Sequence, residues 1–124
     1  MSRILTSGQP VPPDNSHTEI DPVTGQQKGY VVLTAEERAK GFVRPVRQVY
    51  AHVGRIENVE NAEGTIVGQQ RIGGCGTTTR MGLSIAETYA REPHFYSGTF
   101  CVQCGKHLPL NEFVWEGTNE QVGS

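Results

Sequence analysis

Apolar residues along this chain come in short bursts separated by polar, glycine-rich stretches. Before residue 29 they are sparse, and Pro10, Pro12, Pro13 and Pro22 stand among Gly, Ser, Asn, Gln and Thr. That composition cannot fill a core, so residues 1–28 are expected to form a disordered or loosely docked arm, open to folding on a partner. Residues 29–124 are expected to form the ordered domain. Tyr30-Val31-Val32-Leu33 reads as a short strand. Thr34-Ala35-Glu36-Glu37 is a capping-box word, with Thr34 at the N-cap and Glu37 reaching back to it, and it predicts a helix over 35–40. Gly41 lies past its end and Pro45 bars its extension.

Gln48 to Val53 alternates, with Val49, Ala51 and Val53 on one face and Tyr50 and His52 on the other, which predicts a strand. Glu57 to Gly64 reads as a polar turn. Thr65–Val67 and Gln70–Ile72 resume the β pattern around Gly68, a candidate bulge, so a hairpin joining 48–53 to 65–72 is expected. Met81, Ile85 and Tyr89 form an i, i+4, i+8 row widened by Ala86 and Ala90, which predicts a helix over 79–91. The second capping-box word, Ser84-Ile85-Ala86-Glu87, places its regular start at Ser84, and Pro93 ends it. Thr99–Cys101 is expected to be a strand entering a turn and Glu112–Trp115 a strand leaving it, with a frayed C-terminus. The sum is a small α+β fold of short antiparallel strands and one main helix.

The turn between those strands carries the chemistry. Cys101-Val102-Gln103-Cys104-Gly105 is a zinc knuckle: the Cys-x-x-Cys spacing turns both sulfurs towards one tetrahedral ion, and the glycine lets the backbone fold under them. Cys75-Gly76 looks like half of a second knuckle. Cys75, Cys101 and Cys104 supply three ligands, and a histidine is the natural fourth. His17 falls in the arm and His94 follows Pro93. His107 lies three residues beyond Cys104, so its use would crowd the knuckle. His52, on a strand able to lie beside the one leading to Cys75, is the preferred ligand, and His107 is the alternative. Competing readings make the cysteines small buried hydrophobes or a redox pair. A redox pair normally opens a helix after a strand, whereas Gly105 and Pro109 surround this one.

Composition sharpens this picture. Only 35% of the 124 residues are hydrophobic, a small core that a metal staple would reinforce. The net charge of −2 gives no global attraction to nucleic acid or anionic membrane. Three cysteines cannot form two disulfides and suit metal binding in a reducing compartment. With no apolar leader and no run of membrane-spanning length, a soluble cytoplasmic protein is expected.

Three words resemble a group of small uncharacterised proteins of tailed bacteriophages and prophages: Gly41-Phe42-Val43-Arg44-Pro45-Val46-Arg47, Ser84-Ile85-Ala86-Glu87-Thr88-Tyr89-Ala90-Arg91 and Phe95-Tyr96-Ser97-Gly98-Thr99-Phe100-Cys101. The resemblance covers about residues 26–124. In similar members a histidine stands shortly before the Cys-Gly word. Here His52 matches it, with a 22-residue insertion before Cys75. The group carries no activity to transfer. The resemblance implies a phage origin and action in the cytoplasm of an infected bacterial host.

Enzyme templates fit poorly. His17-Thr18-Glu19 with Cys101-x-x-Cys104 echoes the zinc deaminases, but Phe100 stands where that signature has proline and the separation is long. A nuclease centred on His107 and Asn111 lacks a second downstream histidine. Gly73-Gly74-Cys75-Gly76 does not precede a helix, as a phosphate loop would. Zinc held by four protein ligands has no open position for water, so its expected role is structural. Arg38, Lys40, Arg44, Arg47 and Arg55 are the candidate partner-binding residues. They form either a salt-bridged surface or a phosphate-binding face, with Tyr50 or Phe42 stacking on bases. The expectation is a non-enzymatic phage accessory protein that binds and modulates a host protein, such as a component of antiviral defence. The alternatives are a nucleic-acid-binding zinc module in phage replication or transcription, and a protein that sequesters a nucleotide second messenger in a pocket of Arg and aromatic groups. A homodimer is compatible with all three.

Overall fold

The computed structural model describes residues 3–14 and 16–124. The fold is a mixed α+β arrangement of short antiparallel strands and two α-helices. In chain order the elements are β1 (Arg3–Leu5), β2 (Val31–Leu33), α1 (Ala35–Arg38), β3 (Val49–His52), β4 (Gly54–Glu60), β5 (Ile66–Gly73), β6 (Thr78–Arg80), α2 (Leu83–Arg91), β7 (Gly98–Cys101), β8 (Lys106–Pro109) and β9 (Phe113–Trp115). β3 is the centre of a three-stranded sheet ordered β6-β3-β9, and three two-stranded ladders surround it: β1-β2, β4-β5 and β7-β8.

Tyr50, Met81, Ala86, Tyr89, Cys101, Leu110, Phe113, Trp115 and Val122 form the core between α2 and this sheet. Alternation along β3 was legible, but its buried face is the polar-tipped one: Tyr50 and His52 point inward. Tyr50 is tolerated there because its hydroxyl donates to the carbonyl of Phe100 and its ring meets Phe113 edge-on at 5.3 Å. Buried Thr88 serves two elements. Its hydroxyl donates to the Ser84 carbonyl at 2.7 Å and accepts the Leu33 amide at 3.2 Å, tying β2 to α2.

The capping reading holds in part. Thr34 Oγ1 accepts the Glu37 amide at 3.3 Å, while the Glu37 carboxylate turns to Lys40 at 2.9 Å and Arg91 at 3.5 Å. The long helix starts at Leu83 with Gly82 as N-cap, and Thr79 and Arg80, expected inside it, belong to β6, which pairs with β3 instead. Glu87 does not close a box with Ser84; it pairs with Arg38 across the helices at 2.6 Å.

Three strand assignments differ from expectation. β5 pairs with β4, a segment overlapping the polar turn read from sequence, and not with β3. Most of both strands is exposed, so no apolar face sets β4 apart from a turn or selects it as the partner of β5. The strand leaving the knuckle is β8, paired with β7, while β9 pairs with β3. The C-terminus is tied down: Gln121 bridges Val114, and the Val122 amide donates to Phe113 O at 3.1 Å with its side chain fully buried.

Residues 3–14 and 16–28, expected to be part of a flexible arm, are laid against the domain. β1 pairs with β2, the Gly29 amide donates to His17 O at 3.0 Å, and a Cβ at Gly25 would lie 2.2 Å from the Gly105 carbonyl oxygen. This docking requires few apolar side chains, because a backbone ladder on an open strand edge carries much of it.

Candidate metal centre

Two turns build the site. In the first, β7 and β8 pair from Gly98↔Pro109 to Cys101↔Lys106, and the Gly105 amide closes the turn on Cys101 O at 2.8 Å. Gly105 has φ +69°, a conformation that suits glycine. The Cys104 amide points at Cys101 Sγ at 3.5 Å, so the backbone itself solvates a sulfur.

The second turn joins His52 at the end of β3 to Cys75. The His52 amide donates to Thr77 O at 3.1 Å and the Gly76 amide to His52 O at 2.8 Å, which sets Cys75 beside the imidazole. The intervening insertion is the β4–β5 hairpin, and its ends meet at the pair Gly54↔Gly73. Twenty-two residues of sequence therefore add almost no distance between the ligands. The neck is glycine because backbones cross it closely. A Cβ on Gly54 would lie 2.1 Å from Ile72 O, and one on Gly74 would lie 2.3 Å from Val53 C. Gly54 also has φ +84°.

The ligand atoms of His52, Cys75, Cys101 and Cys104 all lie within 4.8 Å of one another, a group able to hold a metal ion. Cys75 and Cys101 sulfurs are 3.5 Å apart, and Cys104 Sγ is 3.5 Å from His52 Nδ1. Cys101 and His52 are buried, whereas Cys75 and Cys104 are exposed, so the cluster lies where the core reaches the surface.

His52 is oriented from behind. Its Nε2 contacts Glu112 Oε1 at 2.8 Å, and its ring lies over Phe113 with centroids 5.0 Å apart. Burial disfavours the charged imidazole, but the Glu112 carboxylate and Cys75 outweigh it and hold the His52 pKa above its ordinary value. Burial also opposes ionisation of Cys75. Hydrogen bonds from the Thr77 backbone, His52 and Cys101 overcome it and bring that thiol down to about 6. Cys104 is pushed up to about 11 by burial and by the neighbouring Cys101 and Cys75. Crowded sulfurs resist joint ionisation, and a bound cation removes that resistance.

His107, the alternative ligand, stands on β8 opposite Phe100, where its Nε2 shares a 3.0 Å hydrogen bond with the Tyr30 hydroxyl. It is not part of the cluster. The sequence marks Glu112 only as the first residue of an expected strand, with no role at the site. No local word marks it, because it reaches His52 through the pairing of β9 with β3.

The five candidate partner-binding cations are matched by local groups. Arg38 pairs with Glu87, Lys40 with Glu37, Arg47 with Glu120 and Arg55 with Glu57, while Arg44 Nε donates to Ser124 O at 3.1 Å. Arg47 also lies over the Trp115 ring, 5.1 Å from its centroid. Among the described residues, no helix is long and apolar enough to cross a membrane. No protein-family profile, curated protein or solved structure matches the chain.

Proposed function

We propose that the cluster is a structural zinc site stapling a small, zinc-ribbon-like binding module. The observation that carries this is the convergence of three sulfurs and one imidazole nitrogen with a carboxylate on the far side of the ring. Tetrahedral zinc, with bonds of about 2.3 Å to sulfur and 2.0–2.1 Å to nitrogen, requires ligand separations of about 3.8 Å between sulfurs and about 3.5 Å from sulfur to nitrogen. The separations of 3.5 Å between Cys75 and Cys101 and 3.5 Å between Cys104 and His52 suit that geometry. A carboxylate behind a ligating histidine fixes its tautomer and raises its basicity, the role Glu112 would fill. Four protein ligands fill the tetrahedron and leave no position for a reacting water, which favours a non-enzymatic role.

The binding role we assign is that of a phage or prophage accessory protein that engages a bacterial host protein, such as a component of antiviral defence. The resemblance around Phe95–Cys101 and Gly41–Arg47 supports the phage origin. Matching of Arg38, Lys40, Arg47 and Arg55 by carboxylates favours a protein partner over a nucleic acid. The test is affinity capture from a bacterial host lysate with the zinc-loaded chain, repeated at high salt. Retention of one stoichiometric protein at high salt supports the reading. Recovery of nucleic acid that disappears as salt rises would transfer the function to the nucleic-acid alternative.

A further inference from the structure

Away from the metal cluster, the molecule holds a cavity of about 410 Å³, a size common to small-molecule sites. Arg3 and His17 from the N-terminal segment line it together with Tyr30, Phe95, Tyr96 and His107 from the domain. No Asp or Glu is among its lining residues, although the chain as a whole carries a net charge of −2. The Tyr96 hydroxyl donates to Val31 O at 2.6 Å and the Tyr30 hydroxyl meets His107 Nε2 at 3.0 Å, so the domain side of the cavity is held together.

The groups in this cavity have two chemistries. One is cationic and hydrogen-bonding. The Arg3 guanidinium is held 5.0 Å above the centroid of Phe95, a planar permanent cation placed by an aromatic face. His17 and His107 each keep a buried Nδ1 with no hydrogen-bond partner among the described residues, and His17 is only 9% exposed. These nitrogens are closed off from solvent, so a polar ligand in the cavity satisfies them once either ring turns towards it. The other chemistry is aromatic: Tyr30, Phe95 and Tyr96, with Phe95 and Tyr96 meeting edge-on at 4.8 Å. An inorganic anion alone would leave these rings unused, and an apolar ligand would leave the Nδ1 atoms of both imidazoles without hydrogen-bond partners.

We propose that this cavity binds a mononucleotide, with Arg3, His17 and His107 taking the phosphate and the rings of Tyr30, Phe95 and Tyr96 packing against the base. The site shares no residue with the metal cluster, so it stands or falls independently of the zinc assignment. Because one wall is the N-terminal segment, a bound nucleotide bridges that segment to the domain and slows hydrogen exchange in β1 and β2.

The test is a titration of the full chain with AMP, GMP, CMP and UMP, each compared with its nucleoside and with inorganic phosphate, followed by NMR and calorimetry. The expected result is that at least one monophosphate shifts Tyr30, Phe95 and His107 resonances and binds about tenfold or more tightly than its nucleoside or phosphate. Arg3→Ala should weaken that binding about tenfold while leaving metal content and the circular dichroism spectrum unchanged. Arg3→Lys should restore only part of it. The proposal is overturned if no monophosphate binds at millimolar concentration, if phosphate alone binds as tightly, or if Arg3→Ala leaves the affinity unchanged.

Discussion

Glu112 Oε1 lies 2.8 Å from Nε2 of His52, and that contact leaves Nδ1 of the same ring facing the cysteine sulfurs. The imidazole is thereby fixed in tautomer and in direction before any ion arrives. Removing a carboxylate in this position typically weakens metal binding about 10- to 100-fold. Glu112→Ala should show that loss in competition with a chromophoric chelator, and Glu112→Gln, which retains an acceptor, a smaller one. Unchanged affinity in Glu112→Ala would mean that His52 is held by packing on Phe113 alone.

The ligands themselves should behave unequally from His107. Cys101→Ser and Cys104→Ser should unfold or aggregate, because the free energy of binding a structural metal is folding free energy. His52→Ala should weaken metal binding. His107→Ala should retain the metal, since that ring is engaged with Tyr30 on β8. Metal content and thermal unfolding of the four variants check this together. A folded, cooperative Cys104→Ser chain, or metal lost from His107→Ala and kept by His52→Ala, would refute the assignment.

The hairpin between His52 and Cys75 should be dispensable for the site. Its ends are paired at Gly54↔Gly73 and Arg55↔Ile72, so an Asn-Gly turn joining Arg55 directly to Ile72 keeps both ligands in place. The shortened chain is expected to fold and bind metal with unchanged stoichiometry. By contrast, Gly54→Ala should destabilise by about 1–3 kcal/mol, from its left-handed backbone and the crossing of Ile72. Gly68→Ala, with open space around it, is the near-neutral control in the same urea titration.

How much of this was legible in the sequence follows from the range of each interaction. Cys101–Gly105 and Cys75–Gly76 are local words, and local backbone geometry executes them. His52 is preferred on the expectation that its strand pairs beside the one leading to Cys75; that pairing does not form, and the β4–β5 hairpin brings the two residues together instead. Glu112 was not legible, since the β3–β9 pairing that brings it to His52 spans 60 residues. Strand β4 escaped because most of it is exposed and no apolar face was selected. Composition leaves residues 3–14 and 16–28 disordered or loosely docked and does not show how they dock, because backbone pairing and a close glycine contact at Gly25 carry it. Val122 was read as a frayed end because a single buried apolar residue near a terminus has no period.

Stability should fall in alkali, and the buried tyrosine hydroxyls should deepen the fall above about pH 10. Burial pushes the Tyr50 hydroxyl up to about 12 and raises those of Tyr89 and Tyr96 as well. The unfolded chain ionises these groups near pH 10, so above that pH the folded state holds more protons and stability declines as pH rises. For Tyr50 the contribution is intact below about pH 10 and is lost as pH rises towards about 12. Urea midpoints across that window should drop for the parent chain and drop less steeply for Tyr50→Phe. A flat profile would mean that the ring hydroxyls reach solvent.

The most direct test of the central claim is elemental analysis of the tag-free purified chain by mass spectrometry, normalised to protein concentration. The four-ligand site predicts one zinc per chain, released by a strong chelator with loss of the folded circular dichroism signal. A folded protein carrying no metal would contradict it.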